Sequence, residues 1–343
     1  MASKLAEDPR IDPRLKEIFG GMNVPHMVDV AGREELLAAE NSEAGKAAFA
    51  ALRAMISSFG NETVAPSAGL TVRTEHVVSD PDRNTINIQF IRPDNAARAP
   101  CVYYIHGGGM TMMSCYDNNY QAWGRIIAAN GVAVAMVDFR NAISPSSVPE
   151  VATFPAGLND CVSGLKWIHA HSEALNIDPN RIIVAGESGG GNLTLATGLK
   201  LKRDGDLGLI KGLYALCPYI SGEWPLPQYP SSTENNGILM DLHNNRGAMG
   251  YGIEAFRSRN ALAWPAFATA EDVKGFPPTV ISVNECDPLR DEGIVFYRLL
   301  LHNGVRARCR QVMGTIHATE IFTTCCPDIS YDTAADIAHF CTR

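Results

Sequence analysis

RIIVAGESGGGN, residues 181–192, places four glycines and one serine in the six positions from Gly186 to Gly191. An apolar run, Ile182 to Ala185, leads in, and a helix-compatible run from Leu193 to Leu201 leads out. The stretch therefore reads as a strand turning directly into a helix. Glycine at such a turn marks a place where something comes close to the backbone. A bound phosphate and a serine nucleophile both use this device. The dinucleotide fingerprint GxGxxG requires glycine where Ser188 stands and a place at the first strand–helix turn of its domain. The mononucleotide loop ends in Gly-Lys-Ser/Thr, where this chain has Gly191-Asn192. Both phosphate readings fail on residue identity. Gly186-Glu187-Ser188-Gly189-Gly190 fits GxSxG, in which the serine sits at a strained tip. Small residues two places before and after it let strand and helix nearly touch.

So short a motif arises by chance in a chain with 30 glycines, and its weight comes from what accompanies it. A serine nucleophile needs donors for an oxyanion, a base, and an acid to orient the base. Tyr104-Ile105-His106-Gly107-Gly108-Gly109 ends an apolar strand in HGGG. There, backbone N–H groups can face a carbonyl oxygen with no Cβ in the way. His106, at the buried end of that strand, reads as a brace for the loop rather than as the base. Three later histidines compete for that role. His302 lies near the end of the helix EGIVFYRLLLHNG, where a cation suits the helix dipole, and His339 lies inside the last helix. His317, in MGTIHATEIF, falls on the loop between the last predicted strand and a helix, and is the expected base. VNECDPLRDEG offers Glu285, Asp287, Asp291 and Glu292 just beyond another strand. Asp291 and Glu292 are expected as solvated acids opening the next helix. Asp287, ahead of Pro288 on the strand-end loop, is the expected acid. Glu285 is the alternative, its other role being a loop hydrogen bond. The chain order Ser188, Asp287, His317 is that of α/β-hydrolases and not of trypsin-like or subtilisin-like enzymes.

The rest of the chain supplies the scaffold. LTVRTEHVVSD and NTINIQFIRPD alternate as an antiparallel pair joined at DPDRN. PCVYYIHGGG, VAVAMVDF, RIIVAG, KGLYALCPY, PPTVISVN and RARCRQVM are short strands separated by helical segments such as YQAWGRIIAAN and FPAGLNDCVSGLKWIHAHSEAL. That alternation predicts a mostly parallel sheet with helices on both faces and the antiparallel pair at one edge. Residues 1–60 read as helices and turns. Residues 219–277 form a connection too long for an ordinary loop, rich in aromatics (Trp224, Tyr229, Tyr251, Phe256, Trp264) and with a helical segment near 241–257. The expected division is 1–60 as the N-terminal helical part of a cap, 61–218 and 278–343 as the catalytic domain, and 219–277 as a cap insertion. The two cap parts are expected to pack together over the sheet's active edge.

Composition narrows the partners. With 343 residues and 46% hydrophobic content the chain can bury a large core. A net charge of −8 argues against nucleic acid and anionic membrane. The opening MASKLAEDPRIDPRLKEIFGG has no signal-peptide pattern, and no stretch is long and apolar enough to span a membrane. The nine cysteines lack metal-ligand spacing and read as reduced core thiols of a cytoplasmic protein. No metal or cofactor is expected. Met110, Met112 and Met113, just past HGGG, could line a substrate pocket with soft, adaptable surface, or could equally be ordinary core methionines.

HGGG, GESGGG, DPLRDEG and the late loop histidine together resemble the hormone-sensitive-lipase-like family of bacterial carboxylesterases. The similarity spans about residues 100–325. It departs from the commoner family pattern at Glu187 and Gly189, and at Asp138-Phe139-Arg140-Asn141-Ala142-Ile143-Ser144. The resemblance implies an α/β-hydrolase fold, with a mostly parallel eight-stranded sheet under a helical cap. It implies Ser188 as nucleophile, Asp287 as acid and His317 as base, with the N–H groups of Gly108, Gly109 and Gly189 as oxyanion donors. The implied activity is hydrolysis of a small-molecule ester, on short-chain or aryl substrates. The same groups could serve an amide, lactone or carbamate, and a non-catalytic binding member of the fold would typically lack His317. A homodimer is implied by resemblance alone.

Overall fold

The computed structural model describes residues 3–96 and 98–343. Among them, eight strands form one sheet in the order β1-β2-β4-β3-β5-β6-β7-β8. β1 (Leu70–Val78) and β2 (Thr85–Pro93) are the antiparallel edge pair, and β2 runs antiparallel to β4 (Ala133–Asp138). β3 (Ala99–Ile105), β5 (Ile177–Glu187), β6 (Gly212–Leu216), β7 (Thr279–Asn284) and β8 (Ala307–Val312) run parallel to one another and to β4. β3, β4, β6 and β7 are buried along their whole length, which is why they read as continuous apolar runs.

Before the sheet come α1 (Lys4–Glu7), α2 (Pro13–Phe19), α3 (Arg33–Glu40) and α4 (Glu43–Ser57). Within it follow α5 (Asn118–Ala128), α6 (Ala156–Ala170) and α7 (Gly189–Asp204). Residues 219–277 carry α8 (Ser231–Glu234), α9 (Arg246–Tyr251), α10 (Ile253–Arg257) and α11 (Ala270–Val273), and the chain closes with α12 (Arg290–His302) and α13 (Pro327–Thr342). The period of two along each strand sorts the core into two layers. Tyr103, Val184 and Leu213 pack with Leu165 of α6, Leu199 of α7 and Phe296 of α12. Val102, Tyr104 and Ile183 pack with Trp123 of α5 and Ile337 of α13. Among the described residues, no helix is long and apolar enough to cross a membrane.

The helical segment near 241–257 is two short helices, α9 and α10, separated at Gly252. Trp264, fully buried, is the hub of the region, with its ring 5.6 Å from Tyr219, 5.8 Å from Tyr251 and 6.3 Å from Phe256. The N-terminal helices meet this region through polar clips. The Asp241 carboxylate accepts from the Met27 N–H at 2.8 Å, Asn245 bonds both backbone groups of Val30, and Arg33 donates to the Gly250 carbonyl.

The acids at the start of α12 differ from the expectation of solvated residues. Glu292 is 1% exposed. Its carboxylate accepts from the N–H groups of Ile220 (2.6 Å) and Ser221 (3.2 Å) and from Trp224 Nε1 (2.6 Å). Asp291 accepts from the Ser231 N–H at 2.6 Å. Residues 219–277 begin over the start of α12, so backbone N–H groups that need acceptors take these carboxylates away from solvent.

Candidate functional site

The register of β3 against β5 pairs Ile105 with Gly186, so HGGG and GESGG leave the sheet side by side. Ser188 sits between β5 and α7 with φ 56° and ψ −119°, a strained backbone for a residue with a Cβ. The strain is held from several sides. The Ser188 N–H donates to the Leu216 carbonyl at 3.0 Å, and the Ser188 carbonyl accepts from Asn192 at 3.0 Å and Tyr219 at 3.1 Å. A Cβ on Gly190 would collide with the Ile105 carbonyl oxygen, so no larger residue fits where the helix leaves.

The loops after β7 and β8 bring two more groups to the same point. His317 Nε2 lies 2.9 Å from Ser188 Oγ, and His317 Nδ1 lies 2.8 Å from Asp287 Oδ2. The other Asp287 oxygen accepts from the Leu289 N–H at 2.9 Å. Asp287 is fully buried and His317 is 6% exposed. Burial opposes the charged imidazole, but the Asp287 carboxylate, together with Glu187 and Glu320, outweighs it and leaves the His317 pKa raised. His302 ends α12 and His339 lies within α13. The Glu285 carboxylate accepts from the Gly314 N–H at 2.7 Å, a bond between two loops.

On the other side of Ser188, Gly108 (φ 89°) and Gly109 (φ 60°) turn the HGGG loop through the left-handed region. A Cβ on Gly189 would stand 2.6 Å from the Met110 nitrogen and 2.7 Å from the Gly109 nitrogen, so the loop amides lie against the start of α7. Among the described residues, the N–H groups of Gly108 and Gly109 donate to no protein acceptor. His106 is fully buried, stacked on Phe139 at 4.3 Å, with Nδ1 3.0 Å from the Gly107 carbonyl oxygen. Burial lowers its pKa.

Glu187, marked in the sequence only as a departure from the commoner family pattern, ties the two loops together. It is 1% exposed. Its carboxylate accepts from the Gly107 N–H at 2.6 Å, the Tyr120 hydroxyl at 2.6 Å and the Tyr104 hydroxyl at 2.5 Å. Burial pushes it up to about 7 against those hydrogen bonds. The available signal was its place: the residue before Ser188 on β5 faces the strand that carries Tyr104.

A cavity of about 320 Å³ opens at Ser188 and His317. Its walls are apolar side chains, among them Met55, Met112, Met113, Leu239, Met240 and Phe322. Met110 does not line it. That residue is 1% exposed, with φ 60°, and its side chain packs in the layer that holds Ile105 and Phe139. Among the described residues, Cys217, Asp287 and His317 could share a metal ion, with ligand atoms within 4.8 Å of one another. They suit one poorly, because Asp287 and His317 already engage each other and burial holds the Cys217 thiol protonated. All nine cysteines are free.

A sheet of this order, with its serine turn after β5 and its histidine loop after β8, is an α/β-hydrolase. A family model described as alpha/beta hydrolase fold matches residues 102–321. The chain belongs to the hormone-sensitive-lipase-like family of carboxylesterases within that fold. It is similar to esterase Est22, solved as an S188A variant, at 65% identity over 99% of each chain with a TM-score of 0.97. Est22 solved with p-nitrophenol matches equally well, over 98% of this chain and 99% of that one. Brefeldin A esterase, described as a bacterial homologue of human hormone-sensitive lipase, stands further off: 32% identity, 98% and 94% coverage, TM-score 0.88. Esterase LipI of Mycobacterium tuberculosis is 30% identical over 226 residues, 66% of this chain and 67% of its own.

Proposed function

We propose that this carboxylesterase works through an acyl-enzyme on Ser188, with His317 as base and Asp287 as the acid that orients it. The observation that carries the reading is the relay itself, Asp287 to His317 at 2.8 Å and His317 to Ser188 at 2.9 Å. His317 takes the Ser188 proton as Oγ attacks the ester carbonyl. The N–H groups of Gly108, Gly109 and Gly189 receive the developing oxyanion, helped by the N-terminus of α7. His317 then protonates the leaving alcohol, and water repeats the cycle on the acyl-enzyme.

The apolar cavity supports neutral short-chain or aryl esters as substrates. That Est22 was solved with p-nitrophenol, the alcohol released from p-nitrophenyl esters, points the same way. In this reading residues 1–60 and 219–277 are the cap, and 61–218 with 278–343 the catalytic domain. The polar clips between Asp241, Asn245 and the N-terminal segment support a cap that acts as one piece. The test is turnover of p-nitrophenyl acetate through decanoate by the wild type and by Ser188→Ala, with a p-nitroanilide alongside. Ester turnover lost in the variant is expected. Wild-type ester turnover no faster than the variant's would overturn the reading, and faster cleavage of the anilide would make the enzyme an amidase.

A further inference from the structure

Beside the cavity at Ser188 lies a second groove of about 460 Å³, between α4, the turn that precedes it and Arg246 of α9. Two residues line both spaces, Leu52 of α4 and Met112 of the loop after HGGG. Beyond them the groove is floored by small residues, Ala39, Ala44, Gly45 and Ala48, with Met27 and Phe49 also on its walls. The Glu40–Arg246 ion pair, 3.1 Å, stands at its polar end.

The partition is fixed at its base and loose at its tip. The Met112 N–H donates to the Gly108 carbonyl at 3.2 Å, so its backbone cannot shift without moving the loop beside Ser188. Its side chain is unbranched, has three rotatable bonds and is the kind that adapts to irregular space. Leu52 is 37% exposed and likewise not locked in a core. Met112 and Leu52 are the residues the two spaces share, so a turn of the Met112 side chain would open one toward the other without moving the backbone around Ser188. Such a joined space would be mostly apolar, with Glu40 and Arg246 at its far end.

We propose that the groove receives the far end of an aliphatic chain whose ester sits at Ser188, and that Met112, with Leu52, sets how long a chain is accepted. The inference rests on the ester-hydrolysis reading above. The chain can belong to the acyl or to the alcohol half of the substrate, and the two are separated by using p-nitrophenyl alkanoates and alkyl acetates, each from four to ten carbons.

In Met112→Ala, the ratio of kcat/KM for the ten-carbon to the four-carbon substrate is expected to rise on the order of tenfold in at least one series, as for burial of about two further methylenes. Met112→Val is a second shortening that should move the ratio the same way. Ala48→Trp, at an exposed site lining the groove only, should bring the raised ratio of Met112→Ala back down by refilling the groove. A ratio unchanged in both series for both Met112 variants overturns the proposal, as does a raised ratio that Ala48→Trp does not lower. Those failures are distinct from failure of the ester reading, which shows as wild-type turnover no better than that of Ser188→Ala.

Discussion

The turn that carries Ser188 and the segment that covers it are held by different means. Around Ser188 the holding groups are main chain: the Leu216 carbonyl, the Tyr219 and Asn192 N–H groups, and glycines with no room for a Cβ. Residues 219–277 and the N-terminal helices are held instead by side chains, with Glu292, Asp291, Asp241 and Asn245 reaching backbone N–H groups across the gap. Main-chain geometry leaves few ways to move, which suits donors that must meet a charge as it forms. Side-chain clips tolerate change in the sequence between them, which suits the cap role proposed for these residues. Damage near Ser188 should therefore appear in kcat, and damage to the clips in stability and specificity.

The largest expected effect comes from Asp287→Asn. The side chain keeps its shape but offers His317 the wrong partner, and kcat should fall on the order of a thousand- to ten-thousand-fold. The pH profile of the residual activity sharpens the claim. Rate requires the neutral imidazole, so it rises with pH through the His317 pKa, which Asp287 raises. Without that carboxylate the rising limb should move to lower pH, and a limb that stays put would mean Asp287 is not the orienting acid. Next comes Gly108→Ala. At φ 89° an L-residue is strained, and the new Cβ would run into the Met112 carbonyl. Displacing a donor should cost about a hundred- to a thousand-fold in kcat with little change in KM, read by steady-state kinetics on a short-chain ester.

Much of this contrast was legible in the sequence, and unevenly so. The mostly parallel sheet with its antiparallel edge pair follows from alternating apolar runs, and the strand-to-helix turn at Ser188 from glycine placement, which are local signals; the strand order that sets HGGG beside GESGG is not. Asp287 and His317 could be chosen because loops at strand ends converge in this topology. What stayed hidden depends on the partners a side chain meets. Glu292 looks like any acid at a helix start until Ile220, Ser221 and Trp224 are seen to converge on it. Met110 stands beside Met112 and Met113, yet its side chain packs into the core layer with Ile105 and Phe139. Glu187 is a free position in GxSxG, and only Tyr104 and Tyr120 reveal that it is a tether.

Glu187→Ala probes the seam between the two kinds of support, since it is a side-chain clip acting on the main-chain site. Gly107 would keep only the Tyr120 hydroxyl, at 3.0 Å, as acceptor, and the HGGG loop would lose its tie to the Ser188 turn. A kcat loss of up to about a hundredfold, the cost of a misplaced group, is expected with the fold retained. Glu187→Gln, which keeps one oxygen for the Gly107 N–H, should recover part of it. If both variants lose stability but keep kcat, the tether is structural only.

Glu292→Ala should touch the chemistry least and stability most. Three donors, the Ile220 and Ser221 N–H groups and Trp224 Nε1, would lose their acceptor, a cost of about 1–3 kcal/mol in urea unfolding if they stay buried. The dependence on pH tests the cause. Burial pushes the Glu292 carboxyl from its ordinary 4.5 to about 8 in the folded chain. Between those values the folded chain holds a proton that the unfolded chain has released. Stability from this group is therefore fully present below about 4.5 and is lost as pH rises toward 8. The alanine variant lacks that slope, so the gap in stability between it and the wild type should narrow steadily as pH is raised from 5 to 8. A gap constant across that window would mean that Glu292 is charged in the fold throughout. The root of residues 219–277 would then be held by a buried carboxylate that never takes up a proton.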